Sequence, residues 1–304
     1  MKRLSRIRVP LAAIGGAMTL ALALTFAPSP AMSAQTLFQT PEAAMDALGT
    51  AVADNDDGEL KALLGADFRS LIPPSGADLR NKFLSAWQTS HSIEKTDDGH
   101  ARIAVGNDGW TLPIPLVKTA QGWRFDMPAG ADEMRLRQIG RNELAVIQTM
   151  LAIYDAQRDY ASKYHDGNKV YVYADRFAST AGKHDGLYWA TGPDEEPSPL
   201  GPAFVTAGAR ARSAAGYYGY HYKLLRAQGP HAPGGAYDYM VNGRLFGGFA
   251  VIAWPARYGE TGIKSFMVSH DGQIYERDLG PDGDKKVEAI KSFDPGPGWT
   301  KESL

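Results

Sequence analysis

The chain has 304 residues, 44% of them hydrophobic and 22% charged, with a formal net charge of −2 and no cysteine. This is room for two modest hydrophobic cores and excludes a wholly disordered chain. The slightly acidic balance argues against nucleic acid or an anionic membrane surface as partner, and the missing cysteines exclude disulfides, thiolate nucleophiles and cysteine zinc sites.

The chain opens on a tripartite export pattern. Lys2, Arg3, Arg6 and Arg8 precede an apolar run over residues 11–26. Pro28 and Pro30 then break any helix, and the small residues Ala31, Ser33 and Ala34 invite cleavage. Residues 1–34 therefore read as a signal peptide. The mature protein is expected in the periplasm or outside the cell, with no membrane span after cleavage.

A first α+β domain is expected over residues 36–130. Thr40-Pro41-Glu42 starts a helix with a cap, a proline in the first turn and an acid beside it. Residues 59–64 and 79–87 read as further helices. The period then changes to two, with strands over residues 101–105, 110–118 and 123–127. Helices followed by a curved antiparallel meander indicate α+β.

The second domain, residues 131–304, is organised by residues 142–164, which contain no Pro or Gly. Val146, Met150, Ile153, Gln157, Tyr160 and Tyr164 recur at alternating spacings of four and three. Leu144, Ile147, Leu151, Tyr154 and Ala161 form a second row, so the helix should be covered on most sides. Asn142 suits its N-cap and Gly167 its stop. Residues 170–177 read as a short element and 200–213 as partly helical. Four strands follow, over residues 217–225, 248–254, 263–268 and 273–278, the last two joined by a hairpin turn. A helix over residues 282–293 closes the chain. The long helix is expected to lie across this sheet, over Phe249, Val251, Phe266 and Val268 on one face.

Several separated stretches resemble an exported bacterial family known as domain of unknown function 2950. They are WTLPIPLV from Trp110, WRFD from Trp123, IGRNEL from Ile139, DGLYW from Asp185, SPLGP from Ser198 and GGFAVIAWPARYGETGIKSF from Gly247. The resemblance implies an exported protein and assigns no activity. The C-terminal half is also similar to the globular part of type IV pilin-like proteins. Ala156, Gln157 and Tyr160 on the helix carry that similarity, with Pro255, Tyr258, Gly259, Gly262, Phe266, Asp271, Gly272 and Tyr275 in the meander. The pilin assembly signal is absent, since no Glu follows Gly16 within five residues.

Catalytic signatures are missing. None of His91, His100, His165, His184, His221, His231 and His270 is paired at helical spacing, and no metalloprotease, calcium-loop, nucleophile-elbow or phosphate-loop motif occurs. No metal and no cofactor are expected. The densest polar stretch is Lys183-His184-Asp185-Gly186, followed by Tyr188-Trp189 and by Asp194, Glu195 and Glu196. Tyr218, Tyr220 and Tyr222 would share one strand face. Aromatic rings with polar tips suit contacts with sugars, peptides or proteins. His184, Asp185, Tyr188, Trp189 and Tyr220 are the ligand-binding candidates. Arg141 and Glu143 are expected to pair as a structural junction. The expected function is a non-enzymatic envelope module that binds another envelope protein or a polymer. The alternative is a periplasmic hydrolase with its site near His184 and Asp185.

Overall fold

The computed structural model describes residues 35–165, 167, 169–205 and 215–303. The expected signal peptide lies outside them, as do residues 206–213 of the partly helical stretch. The fold is α+β, as expected: N-terminal helices and an antiparallel meander, then a long helix on a second antiparallel sheet.

Helix α1 (Pro41–Ala53) starts where its residues dictate. The Thr40 hydroxyl accepts the Ala43 N–H at 3.2 Å, and Pro41 takes a first-turn position that needs no donor. Helix α2 (Asp57–Leu64) is capped by Asp56, which accepts from the backbone of Gly58 and Glu59. Helices α3 (Phe68–Leu71) and α4 (Ala77–Thr89) follow. Strands β1 (His91–Lys95), β2 (His100–Val105), β3 (Leu116–Thr119) and β4 (Gly122–Phe125) form a meander in sequence order. Leu48, Leu63, Phe68, Trp87, Ile103, Leu116 and Phe125 close one core between helices and sheet.

Helix α5 (Met127–Ala161) is a single 35-residue element. This corrects three expectations. The helix begins at Met127 rather than after Asn142. The cap is Asp126, whose side chain accepts the Ala129 N–H at 3.1 Å, with Pro128 in the first turn. Asn142 instead lies inside the helix, and its Nδ2 donates to Thr261 O at 2.8 Å. The helix also ends before Tyr164 rather than at Gly167. Val146, Met150, Ile153, Gln157 and Tyr160 are buried as one row. The second row is not: Ile147 is buried, Leu151 and Tyr154 are half-buried, and Leu144 is 66% exposed. The helix is thus covered on one broad face and not on most sides.

Residues 170–177 form no strand; Tyr173 makes one isolated bridge with Leu245. After a short turn of helix, α6 (Pro202–Phe204), comes β5 (Tyr220–Leu225). Two small ladders pair β6 (Ala227–Gln228) with β7 (Tyr237–Asp238) and β8 (Met240–Val241) with β9 (Arg244–Leu245). Strands β10 (Ala250–Pro255), β11 (Lys264–Ser269) and β12 (Ile274–Asp278), helix α7 (Gly283–Ala289) and strand β13 (Thr300–Lys301) complete the chain. The second sheet runs β13-β12-β11-β10-β5, with every neighbouring pair antiparallel. Four of these strands fall within a few residues of the sequence reading.

One face of the sheet presents Tyr220, Tyr222, Val251, Ala253, Phe266 and Val268 to α5. The opposite face packs Leu225, Ala250, Ile252 and Met267 with Val287 and Phe293. Burial on both faces explains why β10 and β11 read as nearly unbroken apolar runs. Phe249 does not join the Val251 row. It precedes β10, and its ring meets Tyr154 at 6.1 Å and Tyr173 at 4.9 Å. Helix α7 is shorter than expected because Lys223 Nζ donates to Val287 O at 2.8 Å and Ile290 O at 2.6 Å, closing its last turn. Among the described residues no helix is long and apolar enough to cross a membrane.

Candidate functional site

The C-terminal end of α5 assembles a cleft. Tyr160 is the last buried residue of the helix, and the chain turns sharply after Ala161. That turn brings the His165 ring back onto Tyr160, stacked at 3.9 Å and 12°, with Nε2 2.9 Å from Tyr160 O.

The opposite wall is a loop anchored to the helix first by Gln157. Gln157 is 0% exposed. Its Nε2 donates to Ala174 O at 2.8 Å and its Oε1 accepts the Ala174 N–H at 2.9 Å. The amide thus replaces a strand neighbour for a segment that belongs to no sheet. From this anchor Phe177 and Leu187 enter the core beside α5. His184 and Trp189 then reach the cleft. The Tyr160 hydroxyl donates to His184 O at 2.7 Å. His184 stacks on Trp189 at 4.5 Å, and His165 meets Trp189 at 5.8 Å and 59°.

These rings line a cleft of about 330 Å³ whose remaining walls include Tyr164, Pro197 and Pro199. Tyr164 is 56% exposed and is backed by Tyr171, stacked at 4.5 Å. Asp159, Glu195 and Glu196 outnumber Lys163 on the rim. Lys163 pairs with Glu196 and lies 3.8 Å from Asp159. The Glu196 carboxylate holds Lys163 above its ordinary pKa, and Lys163 holds Glu196 below its own. Glu195 Oε2 accepts the Gly192 N–H at 2.9 Å, which fixes the acidic loop.

The sequence candidates separate on this frame. His184 and Trp189 face the cleft together. The Asp185 carboxylate accepts from the Thr180 N–H at 2.7 Å and the Thr180 hydroxyl at 2.8 Å, with Arg176 Nη1 at 3.5 Å. Burial opposes its ionisation, but these donors and the nearby Lys183 outweigh burial and hold the carboxyl below its ordinary value. Tyr188 is half-buried, and its N–H donates to Phe177 O at 2.8 Å. Tyr220 is enclosed in the core at 0% exposure, and its hydroxyl donates to Lys264 O at 2.8 Å. Burial, with the Glu143 charge beside it, pushes that hydroxyl far above the ordinary tyrosine range. The expected tyrosine row is therefore split. Tyr220 and Tyr222 lie under α5, whereas Tyr218 is exposed, in a left-handed turn at φ 51° before the strand.

Glu143 does not pair with Arg141. Its Oε1 accepts the N–H groups of Ile263 and Lys264, both at 2.9 Å, while Arg141 donates to Gln138. Sequence reasoning also missed Tyr160, Tyr164 and His165 as cleft residues. For the two tyrosines the signal was present, as aromatic residues at the end of the helix. Among the described residues no group of three or more His, Asp or Glu is placed to hold a metal ion.

The chain belongs to the family described as Protein of unknown function (DUF2950), which it matches over residues 35–302. No curated protein and no solved structure matches it.

Proposed function

Starting from that membership, we propose that the protein is an exported, non-enzymatic binding module of the cell envelope. It holds an envelope protein or polymer in the cleft at the end of α5. The observation that carries this reading is the wall of stacked rings, Tyr160 on His165 and His184 on Trp189, beside the exposed Tyr164. Rings locked by stacking and by main-chain hydrogen bonds offer a contact surface at little further cost in side-chain entropy. The hydrolase reading is weaker, because the Asp185 carboxylate is engaged by Thr180 and Arg176 in shaping its own loop. A division near residue 130 and a pilin-like arrangement of the second unit belong to the same proposal. A helix laid across antiparallel strands supports the latter.

Two experiments test the reading. Immobilised protein should capture an envelope component from an extract, and Trp189→Ala should lose it; equal capture by both would remove the cleft from the argument. For export, the basic, apolar and small-residue sequence of the first 34 positions predicts a mature chain starting near Gln35 in a soluble periplasmic fraction. Intact-mass measurement checks this, and a membrane-bound chain retaining those residues would refute it.

A further inference from the structure

The charge and the rings of the cleft narrow its ligand, on the premise that the cleft is the binding site. We propose that it takes a saccharide chain that carries no acidic group.

Three observations lead there. First, Trp189 and Tyr164 are each backed by a stacked ring, His184 at 4.5 Å and Tyr171 at 4.5 Å. Each ring therefore meets a ligand as one member of a stacked pair. A pyranose presents one face of C–H groups, which packs on such a ring, and a perimeter of hydroxyls. Second, those hydroxyls need acceptors, and the rim supplies the carboxylates of Asp159, Glu195 and Glu196. Hydroxyl donation to a carboxylate is charge-assisted and stronger than its neutral counterpart. Third, Lys163, the one lysine among the described residues lining the cleft, is paired with Glu196 and sits near Asp159, so its charge is not available to an anion. Three carboxylates against one lysine leave an excess of negative charge, which repels phosphate, sulfate or uronate groups. Neutral or amine-bearing sugars are the class that satisfies rings and charge together. The cleft volume, about 330 Å³, lies at the small end of ligand sites and suits a chain end or a short segment.

An extended peptide fits less well. Addition of a peptide strand requires a sheet edge. The walls of the cleft are the end of α5 and loops. A proline-rich peptide on the rings is the remaining competitor and is an outcome of the test.

The test is calorimetric titration of the protein with four probes. They are the β-linked tetramer of N-acetylglucosamine, its deacetylated amine-bearing form, a tetramer of galacturonate and a proline-rich peptide. One or both of the first two should bind. Galacturonate should bind at least about tenfold more weakly, a difference of about 1.4 kcal/mol. Tyr164→Ala, at an exposed position that leaves the core intact, should weaken binding by a similar factor, and Trp189→Ala by more. Tightest binding of galacturonate or of the peptide would overturn the proposal. So would binding of neither sugar of the first pair, or an unchanged affinity in Tyr164→Ala. Trp189-dependent capture of a protein from extract, without oligosaccharide binding, would reject the saccharide and leave the binding-module reading standing. Failure of both would reject both.

Discussion

Gln157 shows how one side chain decides where the site loop lies. It is enclosed among apolar neighbours, and both ends of its amide are engaged by the backbone of Ala174. Its spacing in the sequence placed it on the buried face of α5, but nothing local revealed a partner seventeen positions away. Gln157→Leu keeps the volume and orphans two buried backbone groups, each costing about 1–3 kcal/mol. Urea unfolding should therefore show a clear loss of stability, and the cleft should lose affinity because its loop is released. An unchanged midpoint would mean that the loop is held elsewhere. Asp185 gives a prediction in pH. Its carboxyl is lowered in the folded state, so its contribution is present above the unfolded pKa and is lost as pH falls through the folded one. Asp185→Asn should be less stable than wild type at neutral pH, and the gap should close in acid. A gap that stays constant from neutral to strongly acidic pH would show that the charge is not what holds the loop. His184 and Trp189 were legible as a polar and aromatic loop. His165 was not, because its ring meets Tyr160 only through a chain reversal that single-residue patterns do not encode.

At the scale of elements, legibility followed burial. Strands β10, β11 and β12 alternate or run apolar because both sheet faces are covered, and they stood out in the sequence. Strand β1 did not: its residues are exposed on both faces except at Ile93, so it carries no period-two signal. Strand β13 is two exposed residues recruited by β12, beyond the reach of any pattern. The start of α5 was misjudged for a different reason. The sequence reading began the long helix at Asn142, beyond Pro128 and Gly140, yet proline is at home in a first turn, and a helical glycine costs only about 1 kcal/mol. The row Val146, Met150 and Ile153 was read correctly, and Met150 and Ile153 are both fully buried against the sheet. Met150→Ala and Ile153→Ala should each cost about 2–5 kcal/mol, the range for emptying a packed core site. Leu144→Ala, on the exposed row, should change stability by less than about 0.5 kcal/mol. Thermal melts of the three variants check this, and equal losses at all three positions would contradict the one-sided packing of the helix.

For the whole molecule, the consequence of a 35-residue α5 is that two separate cores share one helix. Met127 and Met134 pack against the first core, and Arg137 Nη1 donates to Thr111 O at 2.7 Å. From Val146 to Tyr160 the same helix closes the second core. A second tie bypasses the middle of α5: Arg135, on the N-terminal part of the helix, donates from Nη1 to Gly259 O at 2.7 Å. Unbroken helical hydrogen bonding between residues 134 and 146 should make unfolding of one core felt by the other. Gly140 sits in this stretch, with open space where a Cβ would stand. Gly140→Ala should therefore stabilise the chain by about 0.5–1 kcal/mol, through helix propensity alone. Gly140→Pro removes a hydrogen bond to Leu136 and crowds its carbonyl, at a cost of about 3 kcal/mol or more. Because that cost falls between the cores and not within either, its expected signature is lost cooperativity. Scanning calorimetry should show one transition for the wild type, one at higher temperature for Gly140→Ala, and two for Gly140→Pro. Two transitions already in the wild type would show that the helix joins the cores without coupling them. A single transition in Gly140→Pro near the wild-type temperature would show that Arg135 and its neighbours, rather than helix continuity, hold the halves together.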